Sequence, residues 1–263
     1  MPVNTLGPTF MVAQRLVADQ RSRSGRVVLN DNLTGVTRKR VPVELLVVGG
    51  GGARGENSAS FIVGGGGAGG FVLATVAVPV GEHPVTVAAS QVAFANGQNS
   101  EALGVIARGG GAGGNVVRGD GALGGSGGGG AVNPSLPFVF SGGEGVSNQG
   151  WRGGNAVSAT GPAGGGGGAG GPGVGAVAGP GRFSDITGAN TEYARGGGAD
   201  GSSTSTLAGS GQATSDPTPT TQPGIVILRY RTGSMTAIGG TVTTFGPWTI
   251  HTFTTSGTFT RTG

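Results

Sequence analysis

Apolar residues along this chain come in short β-rich runs cut by glycine, and not at helical spacing. Residues 41–48 (VPVELLVV) have almost no polar face, which predicts a strand buried on both sides. Residues 61–63 (FIV) lead into the glycine run at 64–70, which leads into residues 71–80 (FVLATVAVPV). Residues 85–88 follow, residues 103–107 run into GGGAGG, and residues 225–230 (IVILRY) end the series. From about 109 to 200, glycine runs alternate with short variable inserts, and residues 202–223, dominated by Ser, Thr and Pro, read as an exposed loop. Before residue 41 the pattern differs: residues 10–18 are apolar enough for a short helix, and Arg26-Val27-Val28-Leu29 reads as a strand ending in a turn at Asn30-Asp31-Asn32. The chain therefore divides into a leader at 1–40, a glycine-rich body at 41–232 and a Thr-rich strand segment at 233–263.

Composition changes what holds the body together. Of 263 residues 62 are glycine, which in a flexible linker would mean disorder. A linker has no use for VELLVV at one end and IVILRY at the other, and the glycine register lacks the strict triplet of collagen. Glycine helices of the polyproline-II type approach closely enough to hydrogen-bond on all sides, because no Cβ intervenes. Ordering a residue costs about 1–2 kcal/mol and a hydrogen bond returns about 0.5–1.5 kcal/mol, so only a bundle satisfied on every face breaks even. The expected fold is thus mostly irregular and β, a polyglycine-II helix bundle bracketed by short β-strands with a small N-terminal docking segment. Ala68, Ala112 and Ala169 are expected to point outward from that bundle.

Charge is concentrated in the leader. Residues 1–40 hold Arg15, Arg21, Arg23, Arg26, Arg38, Lys39 and Arg40 against Asp19 and Asp31, while the remainder is nearly neutral. Arg21, Arg23, Arg26, Arg38, Lys39 and Arg40 are the candidates for attachment to a partner. No aromatic platform accompanies them beyond Phe10, so nucleic acid is not the expected ligand. No apolar run resembles a signal peptide or a membrane span, and no cysteine is present for a disulfide or a thiolate site.

Candidate chemistry is sparse, and no enzyme, cofactor or metal is expected. Gly50, Gly52 and Gly55 satisfy the dinucleotide-binding spacing after a strand, but the residues that follow are too glycine-bounded for the helix that motif needs. His83, read as a turn residue, and His251, read as a strand side chain, lie far apart, and the acids are scattered. What remains is recognition. The inserts carry large side chains on loops, where binding residues concentrate. Trp151, Arg152, Phe183, Tyr193 and Phe94 are the contact candidates, whereas Phe138 and Phe140 read as end seals of the glycine bundle.

The opening VELLVVGGGG, the repeated GGGAGG runs and the closing GIVILRY resemble the glycine-rich domain of bacteriophage tail-fibre and minor tail proteins. That group includes fibre-tip adhesins built on a sandwich of polyglycine-II helices, and the resemblance spans about residues 41–232. It implies a virion structural protein of the tail or fibre, made in the host cytoplasm without a signal peptide and present in several copies. The leader would dock on other tail or fibre proteins, and the tip loops would bind a host-surface protein or glycan. A virion decoration or spacer without receptor contact is the alternative. Residues 249–260 (TIHTFTTSGTFT) resemble a segment that in this family precedes the opening strand, yet here they come last. They are expected to pair with residues 43–48 in a permuted domain, or with a neighbouring subunit, since proteins avoid an unpaired edge.

Overall fold

Val41–Val48 (β1) is the centre of the molecule because its side chains enter two different cores. The computed structural model describes residues 40–56, 62–92, 94–115, 117–199, 205–215 and 221–263. The expected short helix at 10–18 and strand at 26–29 lie outside the described residues, as do the leader's attachment candidates apart from Arg40, which is exposed.

β1 pairs antiparallel with Phe71–Val78 (β2) on one side and with Ile225–Arg231 (β8) on the other. β8 in turn pairs with Trp248–Phe253 (β11), which pairs with Thr241–Phe245 (β10), giving a five-stranded sheet in the order β10-β11-β8-β1-β2. A second five-stranded sheet joins Gly81–Thr86 (β3), Ser100–Ala102 (β4), Val105–Ala107 (β5), Ala237–Ile238 (β9) and Gly257–Arg261 (β12) in the order β5-β4-β3-β12-β9. Arg182–Ser184 (β6) and Thr191–Tyr193 (β7) make a small hairpin. His83, expected in a turn, is in β3, where it pairs with Phe259 of β12.

The period-two pleat explains the two cores. Val43, Leu45 and Val47 of β1 face the second sheet and pack with Val85 and Phe259, whereas Leu46 and Val48 face the opposite side and pack with Ala68, Phe71, Ile186 and Tyr193. From Leu45 onward both faces of the strand are therefore buried. One charged pair crosses this sheet: Arg229 lies opposite Glu44 and its Nε donates to Glu44 Oε2 at 3.1 Å, while its guanidinium sits over Trp248.

The expected helical bundle is corrected by this architecture. Among the described residues there is no helix, and the regular structure is all β, in three antiparallel sheets. The apolar runs do more than bracket a glycine tract: with the Thr-rich strands at 237–261 they complete two sheets that share a core. The glycine segments lie outside the strands and bond to one another through the main chain. Successive residues turn to different neighbours: Gly64 receives the amide of Gly55 and donates to Gly114, Gly65 donates to Gly164, and Gly66 donates to Gln212. Gly67, Ala68 and Gly69 then return to the same three neighbouring segments, at Gly111, Gly167 and Gly209. A Cβ on Gly66 would lie 2.0 Å from the Gly52 carbonyl oxygen, so glycine is required there by close approach.

Two further expectations change. Ala68, Ala112 and Ala169 are buried, and Ala68 and Ala169 fill the core between the glycine segments and the first sheet. The last strands pair within the chain, but β11 pairs with β8 and not with residues 43–48, and β12 pairs with β3.

Candidate functional site

The candidate binding surface is built where an insert leaves the glycine segments without loosening. The Trp151 amide donates to the Gly168 carbonyl at 3.2 Å, and its own carbonyl accepts from the Gly127 amide at 2.9 Å. Its main chain is thus tied on two sides, while its side chain remains 52% exposed. Arg152 is organised in the same way. Its carbonyl accepts from the Gly173 amide, and its Nη2 donates to Asn155 Oδ1 at 2.8 Å. Asn155 Oδ1 also accepts from the Gly142 amide at 3.1 Å, so one carbonyl fixes both the loop and the guanidinium. The neighbouring glycines carry no side chains, and exposed Val174 follows Gly173, whose amide binds the Arg152 carbonyl. An aromatic plane beside a charged donor fork suits recognition, because little rotamer or loop entropy is lost on contact.

The structure does not gather the sequence candidates into one patch. Phe94 is exposed and adopts a left-handed backbone (φ 75°), a conformation that costs a bulky residue about 1–2 kcal/mol. The carbonyl after it, of Ala95, binds Ala53, and the hydrogen-bonded path from there to Trp151 runs through Gly52, Gly67, Ala68, Ser126 and Gly127. Phe183 is exposed on the β6–β7 hairpin, a separate element. Tyr193 is not at the surface: it is 4% exposed and packs its ring against Phe71 with centroids 6.4 Å apart. Burial raises its pKa above the ordinary phenol value. β7 turns Tyr193 inward by strand alternation, which a loop reading of that insert misses. Phe138 and Phe140 meet edge to face, and the Phe140 ring covers Gly119. Asn155 is the residue of this candidate surface that sequence reasoning passed over; only its spatial return to Arg152 and Gly142 marks it.

The other tempting sites are occupied by the protein itself. The amides of Gly50, Gly52 and Gly55 donate to the carbonyls of Gln98, Gly67 and Gly64, so the dinucleotide-like spacing directs its donors at the protein's own backbone. His251 is fully buried against Tyr230 and Phe259. Its Nδ1 lies 2.7 Å from the Gly239 carbonyl, which can only accept, so Nδ1 carries the proton and Nε2 accepts from the Tyr230 hydroxyl at 3.1 Å. Desolvation lowers the His251 pKa below the ordinary imidazole value, partly opposed by the Gly239 hydrogen bond. This pair ties β8, β11 and the turn before β10 together.

A family model described as a glycine-rich domain matches residues 33–247. No curated protein and no solved structure matches the chain.

Proposed function

Since the chain belongs to the glycine-rich domain family, we propose that it is a non-enzymatic structural protein of a bacteriophage tail or tail fibre that presents a rigid surface to its host. The surface is centred on Trp151 and Arg152, and the partner is a host-surface protein or glycan. The observation that carries this reading is the combination at Trp151 of a main chain bonded on both sides with a half-exposed indole. A spacer gains nothing from holding a large apolar ring in water on a fixed support. Residues 1–40 supply attachment to other tail or fibre proteins in this reading, and several copies on one particle raise a modest affinity by multivalency.

The test replaces Trp151 and Arg152 together by Ala in the assembled particle and measures adsorption to host cells, with immunogold labelling to locate the chain. Label at the tail or fibre and adsorption reduced about tenfold or more, with unchanged thermal unfolding, is the expected result. Full adsorption with an intact fold would favour the architectural alternative, and the absence of label on particles would remove the virion assignment.

A further inference from the structure

Each large sheet has two edges, and the two edges of the second sheet are short. β5 and β9, the edges of the second sheet, have three and two residues. β2 ends the first sheet on one side, and its first amide, of Phe71, donates to the Gln149 carbonyl. β10 ends the first sheet on the other side, and all five of its residues are exposed.

The hairpin register fixes which of its backbone groups are available. Phe245 lies opposite Trp248 across a two-residue turn with Gly246 in the left-handed region. The closing pair of such a turn exchanges both hydrogen bonds, so by alternation Phe245, Thr243 and Thr241 direct their amides and carbonyls at β11. Val242 and Thr244 direct theirs away from the sheet. Natural edges are commonly blunted by Lys, Pro or a bulge, and this strand (TVTTF) has none of them. Residues 232–260 contain no Asp, Glu, Lys or Arg, so the hairpin itself carries no charge to repel an identical strand.

We propose that β10 is a self-pairing edge, at which two copies of this chain join antiparallel about a two-fold axis through Thr243. Val242 and Thr244 of each copy exchange hydrogen bonds with Thr244 and Val242 of the other, and Thr243 faces its own counterpart. Thr241 meets the other copy's Phe245, a β-branched residue beside an aromatic, which is a favourable cross-strand pair. The contact covers side chains that are now half-exposed, Val242 at 50% and Phe245 at 55%. A two-fold contact uses the β10 edge of both copies at once, so this pairing closes at two copies. A five-residue strand is small beside the ~800 Å² per partner of a standard interface, so association is weak in solution and becomes effective where copies are held together. The inference is independent of the Trp151 surface.

Sedimentation of the full chain over a concentration series tests it. The wild type should shift from the 25.2 kDa monomer toward twice that mass as concentration rises. Thr243→Lys and Thr243→Glu each place like charges directly opposite one another and should weaken the dimer about tenfold or more. Because Thr243 is exposed, both variants should unfold at the wild-type temperature. Mixing the two variants should restore a heterodimer. A wild type that stays monomeric at its solubility limit overturns the proposal. So does a dimer indifferent to Thr243→Lys, or a mixture of the two variants that does not pair.

Discussion

At Leu45 a fully buried side chain fills the space between two sheets; at Gly66 the space between segments is filled by main chain alone. Around Leu45 cohesion comes from apolar area removed from water, which is non-directional and adjusts to small changes of shape. Around Gly66 it comes from directed bonds: the amide donates to Gln212, the carbonyl accepts from Gly197, and the backbones of Gly52, Gly166 and Gly211 approach within the radius of a missing Cβ. The sandwich therefore tolerates loss of atoms at a graded cost, whereas Gly66 cannot accept even one more carbon. The same contrast underlies the proposal of a binding surface on the glycine region: a surface whose main chain is bonded on several sides can present Trp151 and Arg152 without a loop of its own to order.

The largest expected effect is on the glycine side. Gly66→Ala adds one methyl group that would stand 2.0 Å from the Gly52 oxygen, so adjoining segments must separate and break buried hydrogen bonds. Overpacking at about 1–3 kcal/mol and each stranded buried group at about 1–3 kcal/mol sum to the order of 5 kcal/mol, comparable with the whole stability of many domains. Purified protein should show a lost or strongly lowered unfolding transition by calorimetry. A variant melting within a few degrees of wild type would mean the glycine segments are loosely held.

Leu45→Ala comes next. It removes a fully buried side chain between the sheets and should cost about 2–5 kcal/mol, read as a lower denaturant midpoint with the protein still folded. If it proves more damaging than Gly66→Ala, the contrast between the regions is reversed.

A smaller effect follows from His251, a buried imidazole of the sandwich. His251 has a folded-state pKa below the unfolded value of 6.5, so the unfolded chain binds its proton first as pH falls. Its contribution is full above about pH 6.5 and is progressively lost as the pH falls from there toward the lowered folded-state value. Thermal unfolding should drop across that window in wild type, and His251→Gln should flatten the drop.

Much of the sandwich was legible. The near-continuous apolar run at 41–48 implied a strand covered on both faces, and β1 divides its side chains between two cores. Residues 225–230 were equally readable, and β8 is its neighbour. Trp151 could be singled out as a large side chain in a glycine-flanked insert. Tyr193 could not be judged, because a three-residue strand leaves too little alternation to show which way it faces. The role of Ala68 and Ala169 was hidden for a related reason: an alanine in a glycine run looks alike whether it meets solvent or the back of a sheet.

By itself the sequence determined the local materials: which runs must be strands, which stretches could let backbones touch, where charge is absent, and that a large ring sits among glycines. These follow from side-chain chemistry and short-range spacing. Only the tertiary structure decided that the regular order is two sheets and a hairpin, that β11 pairs with β8, that Asn155 holds Arg152, and that β10 is left as an exposed edge. Those outcomes depend on long-range pairings between segments of nearly identical local character. A glycine run carries no side chain to mark its partner, so register is settled only when every segment around it has found its place.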